Sequence, residues 1–218
     1  MSADRVDPRS HWEEIYRTKG PEQVSWFQAE ATLSLELIQQ AALPRDSAII
    51  DVGAGASTLV DGLLAAGNRR ITALDLSGAA LARSQARVAG AAALVTWREG
   101  DVLTAALERA AFDLWHDRAV FHFLTDPADR ARYVAQARHA VRPGGYVLVA
   151  TFAEDGPTRC SGLEVVRYAP DALHAEFGAE FRVVESRRQM HHTPWGAPQA
   201  FTYCLCRYEP PGSTLHAA

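Results

Sequence analysis

The chain has 218 residues, 48% of them hydrophobic, and a formal net charge of -4, which suits one α/β domain with a terminal extension. No Lys/Arg cluster is present, which argues against a nucleic-acid partner, and no apolar run approaches the roughly 18 residues of a membrane span. Met1 to Ser10 is polar and lacks the apolar core of a secretory leader, and the three cysteines, an odd number, fit a reducing cytoplasm.

Taken in chain order, Met1 to Arg9 is expected to be mobile. A short helix follows over His11 to Lys19, with Trp12, Ile15 and Tyr16 on one face, and Gly20-Pro21 ends it. Glu30 to Ala42 reads as a second helix. Ala48 to Val52 is a buried strand, Ser57 to Ala66 a helix stopped at Gly67-Asn68, and Arg70 to Leu76 a second strand. Ser77 is placed to cap the helix Gly78 to Val88. Leu94 to Arg98 and Ala111 to His116 are the third and fourth strands. Asp126-Pro127 opens a helix to about Val141, Arg142 to Gly145 is a sharp turn, and Tyr146 to Phe152 is the fifth strand. Gly156 to Leu163 reads as an irregular loop over the substrate end of the crevice. Pro170 to Phe177 is helical. Phe181 to Arg188 and Gln199 to Arg207 alternate as an antiparallel pair at one sheet edge.

Alternating strands and helices require right-handed crossovers, hence a doubly wound, mostly parallel sheet with helices on both faces. Ligands on such sheets sit at the carboxyl ends of the strands. Asp51 to Ser57, Asp75, Asp101 and His116 to Arg118 all fall there. Gly53 and Gly55, with Ala54 between them, make a turn that lets a ligand approach the backbone. Asp75 ends the second strand, where a carboxylate can accept from ribose hydroxyls. A dinucleotide would set its negative pyrophosphate against Asp51. A sulfonium donor with an ammonium reverses the sign of that demand, so Asp51 favours S-adenosylmethionine.

These residues resemble class I S-adenosylmethionine-dependent methyltransferases. Asp51-Val52-Gly53-Ala54-Gly55 is similar to their glycine motif, and Asp75 matches their ribose-binding acid. Gly100-Asp101-Val102 matches the element whose Asp meets the adenine amino group, with Leu76 and Val102 placed to sandwich the ring. Phe112 to Trp115 with His116-Asp117-Arg118, and Val141 to Gly145, match the later elements; the resemblance runs from about residue 11 to 208. Ala56-Ser57 departs from it where many members carry another glycine. The resemblance implies a Rossmann-like seven-stranded sheet with an antiparallel C-terminal strand. It also implies an N-terminal helical lid over 1–45, a methyltransferase domain over 46–208 and a flexible tail over 209–218. His116 joins the cofactor side.

Tyr16 and Trp26 are the aromatic candidates for touching cofactor or substrate, since an aromatic face near a sulfonium gains cation–π energy. After the fourth strand, Asp117 is a candidate proton acceptor or partner of a cationic substrate. Arg118 either pairs with it or binds an anionic substrate. His122 is the natural general base near neutral pH. The resemblance to thiopurine-type enzymes makes Arg159 and Cys160 substrate-side candidates. His191 and His192 point to opposite faces of an extended chain, and Cys204 and Cys206 line one packed face, so no metal site is expected.

The reading is a cytoplasmic methyltransferase. It moves a methyl group in line from S-adenosylmethionine, releasing S-adenosylhomocysteine, to a small-molecule thiol, selenol, metalloid or amine. The alternatives are a protein lysine methyltransferase, which implies a protein substrate, and a non-catalytic module that senses the cofactor. The residues do not fix the acceptor atom or the oligomeric state.

Overall fold

The computed structural model describes residues 7–212. The mobile start and flexible tail expected at the two ends lie largely outside the described residues. Helix α1 spans Pro8–Thr18, α2 Thr32–Gln40, α3 Leu59–Ala65, α4 Gly78–Val88, α5 Pro127–Ala140 and α6 Pro170–Phe177. The strands are β1 Ala48–Val52, β2 Arg70–Asp75, β3 Val95–Glu99, β4 Phe112–Arg118, β5 Val141–Phe152, β6 Arg159–Cys160, β7 Leu163–Glu164, β8 Phe181–His192 and β9 Pro198–Tyr208.

Seven strands form one sheet in the order β3-β2-β1-β4-β5-β9-β8. The β1–β2, β2–β3, β1–β4 and β4–β5 pairs are parallel, while β9 runs antiparallel to both β5 and β8. The expected edge pair is present and longer than its alternating pattern suggested. Sheet order reverses at β1, between β2 and β4, and a ligand crevice opens at the carboxyl ends there.

Strand β1 is buried along its whole length, and its alternate residues feed two cores. Ile50 and Val52 pack with Tyr133, Ala137, Leu173 and Phe177 of α5 and α6. Ile49 packs with Leu37, Ile38, Leu59, Leu63 and Leu81 of α2, α3 and α4. Helices therefore cover both faces, and α2 is part of the second core rather than a detachable lid. Asp7 caps α1, Ser77 caps α4 and Asp126 caps α5 through side-chain bonds to backbone N–H groups, with Pro in the first turn of α1 and α5.

Two local expectations change. The turn at Arg142–Gly145 lies inside β5. Val141 pairs Phe112 and Tyr146 pairs Leu114, so the chain loops outward between them with Gly144 at φ +82. The segment expected to be an irregular loop at Gly156–Leu163 contains the β6–β7 hairpin, closed by Ser161 (φ +52) and Gly162 (φ +81). Two central residues with positive φ suit the twist of a tight hairpin. Among the described residues, no helix is long and apolar enough to cross a membrane.

Candidate functional site

The glycine turn after β1 is held against β2: the N–H groups of Gly53 and Ala54 donate to the Leu74 carbonyl at 2.8 and 3.1 Å. Gly53 (φ +66) and Gly55 (φ +50) adopt backbone conformations that a side chain disfavours. A Cβ on Gly53 would lie 1.9 Å from Val120 Cγ2, and one on Gly55 would lie 2.5 Å from Tyr16 Oη. The turn thus sits between the loop after β4 and helix α1. That loop is itself constrained, because Ala119 adopts φ +73.

A cavity of about 50 Å³ lies at this turn. Its β1 and β4 wall is Asp51, Gly53, Ala54, His116 and Arg118. Its cover comes from Tyr16 of α1 and from Val24, Trp26 and Phe27 in the segment before α2. His116 Nδ1 donates to Asp51 Oδ1 at 2.7 Å, and its Nε2 is hydrogen-bonded to Ser34 Oγ of α2 at 2.9 Å. All three residues are buried. Asp51 Oδ2 is also buried and has no partner among the described residues. Ser34 was not singled out in the sequence, although it shares a helix face with Leu37 and Ile38, an unusual place for a hydroxyl.

Arg118 lines the cavity from the end of β4. Its Nε donates to Tyr203 Oη at 3.0 Å and its Nη1 to the Trp26 carbonyl at 3.0 Å, and the guanidinium lies 4.4 Å from the Phe201 ring centroid. Nη2 is buried without a partner among the described residues. Trp26 packs edge-on to Trp12 and Tyr16, at centroid distances of 5.5 and 6.3 Å.

Beside this cavity, Asp75 accepts from the N–H groups of Gly55 and Ser77, both at 2.8 Å. Burial, aided by the Asp51 and Glu13 charges, outweighs those bonds and pushes its carboxyl up to about 6. Burial also pushes the Tyr16 hydroxyl well up, with the Asp75 charge adding to it. Helix α1 is latched over this region, where Glu13 accepts from Ser77 Oγ at 2.7 Å and from Ala79 N at 3.2 Å.

The remaining candidates fall elsewhere. Asp117 is not at the cavity: it is fully buried and accepts from Val120 N (2.8 Å), Phe121 N (3.0 Å) and Tyr133 Oη (2.5 Å). Burial raises its carboxyl to about 6, but its oxygens brace the loop rather than face a ligand. His122 is also fully buried, between Phe123 and Phe152, and accepts from Phe152 N at 3.3 Å. Burial, helped by the Arg118 charge, pushes it down to about 3, so neither residue is placed as a base toward this cavity. Arg159 is exposed and paired with Glu164 at 3.2 Å. Cys160 is buried in the second core, its thiol pushed up to about 11 by burial. Asp101 turns its carboxylate back to Leu103 N at 2.8 Å. Val102 packs into the first core, and Leu76 is half-buried just past β2. Leu76, Asp101 and Val102 line no part of the cavity, and neither does Asp75, whose two oxygens each accept from a backbone N–H.

Residues 49–145 match a protein family described as a methyltransferase domain. Uncharacterized methyltransferases of Mycobacterium bovis and Mycobacterium tuberculosis are 35% identical over 108 residues, which is 48% of this chain and 50% of theirs. The chain thus spans about half the length of the curated relatives it matches. The zebrafish (Danio rerio) eEF1A lysine and N-terminal methyltransferase is 22% identical over 157 residues, 71% of this chain and 22% of that protein. In fold, the chain is similar to the Burkholderia thailandensis 1,6-didemethyltoxoflavin-N1-methyltransferase, solved with 1,6-didemethyltoxoflavin and S-adenosylhomocysteine. The TM-score is 0.69 at 20% identity, over 96% of this chain and 94% of that one.

Proposed function

We propose that this chain, whose residues 49–145 match a methyltransferase domain, catalyses S-adenosylmethionine-dependent methylation of a small-molecule acceptor. The observation that carries the proposal is the free, buried Asp51 Oδ2 beside the glycine turn. A buried carboxylate oxygen without a partner is costly unless a cation or donor meets it. An ammonium-bearing sulfonium fits that demand and a pyrophosphate does not.

The residues present fit such a donor. Asp51 would hold the ammonium, the 53–55 turn would take the amino-acid end against bare backbone, and Asp75 would take the ribose. When bound, the donor supplies an electrophilic methyl group on a positive sulfur. His116 keeps Asp51 fixed, with one oxygen tied and one free. Tyr16 and Trp26 exclude water, and aromatic faces near a sulfonium contribute roughly 0.5–2 kcal/mol once dry. With Asp117 and His122 turned inward, the acceptor must arrive as a nucleophile that needs little help, such as a thiolate, selenolate or neutral amine.

A cavity of about 50 Å³ holds no nucleoside, whose pockets run to roughly 300–1,000 Å³. Helix α1 and the loop to Trp26 therefore act as a lid that must lift for the donor to enter. Once reclosed over its ligands, the cover of Tyr16, Trp26 and Phe27 would enclose the acceptor, which suits a small molecule better than a protein side chain. Calorimetry tests the donor site: S-adenosylhomocysteine should bind the wild type, and Asp75→Ala should weaken it about ten- to hundredfold through loss of charge-assisted bonds. Unchanged affinity would remove Asp75 from the site. Labelled methyl groups appearing in the protein fraction of a lysate, rather than in small molecules, would favour a lysine methyltransferase instead.

A further inference from the structure

We propose that Arg118 receives the carboxylate of an anionic methyl acceptor. This rests on the methyltransferase reading and names its substrate class. Arg118 lines the cavity, yet no carboxylate of the described residues forms an ion pair with it; Arg87, Arg130, Arg138 and Arg142 each have one. Its partners are a phenol oxygen, a peptide carbonyl and a ring face, all of them neutral. They orient the guanidinium without neutralising it. A partly buried cation kept uncompensated at a cavity wall is costly, and an anionic ligand would offset that cost.

The shape of the unused part suits a carboxylate. Nη2 carries two N–H donors and is buried without a partner among the described residues. That nitrogen, on a guanidinium whose charge is not neutralised, can donate to a carboxylate oxygen in a charge-assisted bond. The guanidinium is also held still. Tyr203 Oη, which accepts from Nε, donates onward to Gln189 Oε1 at 3.0 Å, and Phe201 lies under the plane. A group fixed in this way needs no reordering when its ligand arrives.

Position separates this carboxylate from the donor's own. Tyr203 and Phe201 belong to β9, three strands from β1 in the sheet order, whereas the glycine turn and Asp51 belong to β1. The guanidinium is thus anchored from the β9 side, and the cavity carries a free carboxylate oxygen at Asp51 and an uncompensated cation at Arg118; Arg83, which also lines it, donates to the Lys19 carbonyl. A free anion and an uncompensated cation in one cavity suit a cationic donor and an anionic acceptor. His122 and His191, both lowered by burial and by the Arg118 charge, add no competing cation there.

The test uses the full chain loaded with S-adenosylhomocysteine and compares acetate and benzoate with acetamide and benzamide by calorimetry. The wild type should bind each carboxylate at least about tenfold more tightly than its neutral amide, as a charge-assisted pair requires. Arg118→Gln should abolish that preference and change S-adenosylhomocysteine affinity by less than about threefold, while Arg118→Lys keeps part of the preference. No carboxylate preference in the wild type overturns the proposal, as does a preference that survives Arg118→Gln. A large loss of S-adenosylhomocysteine affinity in Arg118→Gln also overturns it, by assigning the arginine to the donor's carboxylate. Should Arg118→Gln fail to fold, the wild-type comparison and Arg118→Lys decide. Failure of the wild type to bind S-adenosylhomocysteine at all overturns the methyltransferase reading, and the proposal with it.

Discussion

Asp51, His116 and Ser34 show how a buried carboxylate is held with one oxygen tied and the other free. The hydroxyl of Ser34 meets one nitrogen of His116 and the other nitrogen meets one oxygen of Asp51, so the carboxylate cannot rotate freely. His122 illustrates the opposite fate of a titratable group. Its pKa falls from 6.5 to about 3 because burial disfavours the cation, and the Arg118 charge adds to this. The sign follows: the unfolded chain binds a proton below about 6.5 and the fold does not, so this contribution is present above that pH and is lost as pH falls toward about 3. His122→Gln, which keeps an acceptor for Phe152 N, should lose less stability on acidification than the wild type. The gap should change by an amount on the order of 3 kcal/mol between pH 6.5 and pH 4, read from denaturant melts at each pH. Asp75 works in the other direction, since its raised carboxyl favours the fold more at low pH, so only the paired comparison isolates the histidine. In the sequence, Asp51 and the glycines were legible because their spacing after a β-branched strand has few other uses. The inward turn of Asp117 and His122 was not, because it depends on Tyr133, sixteen residues from Asp117, and on the loop strained at Ala119.

Helix α1 is attached at its edges. Glu13 reaches the start of α4, Arg9 pairs with Glu99 of β3, and Tyr16 closes over Gly55. The N–H groups at a helix start favour a negative charge, and Glu13 supplies it to α4 from another element. Glu13→Ala should loosen the lid at a cost of about 0.5–2 kcal/mol, comparable to losing a helix cap. Trypsin should then cut faster at Arg17 and Lys19 while the core stays resistant. Equal cutting rates in wild type and variant would mean that the latch does not hold α1. Helices and strands with clear apolar periodicity were readable to within a few residues. The bulge in β5 and the β6–β7 hairpin were not, since each depends on pairing with a partner strand that local pattern does not identify.

At the scale of the whole molecule, two cores share one sheet, and the reversal of strand order at β1 places the cavity. That arrangement was legible because alternating β and α segments leave few topologies open. The aromatic packing over the cavity was half legible: Trp12 and Tyr16 share a face of α1, whereas Trp26 and Phe123, which pack against them, come from separate segments with no common period. This packing also gives the molecule an optical signal of its own. Of its five tryptophans, Trp115 is fully buried and bonded to Tyr133, and Trp97 bonds to the Ala92 carbonyl. Trp195 lies out in solvent in the hairpin that joins β8 and β9. Of the five, Trp12 and Trp26 belong to the segment proposed to lift, edge to face 5.5 Å apart. Their emission should therefore shift when a nucleoside lifts the lid, and Trp26→Phe should remove most of that shift. Lid opening can then be timed by stopped-flow fluorescence in the unlabelled protein, before any acceptor is known.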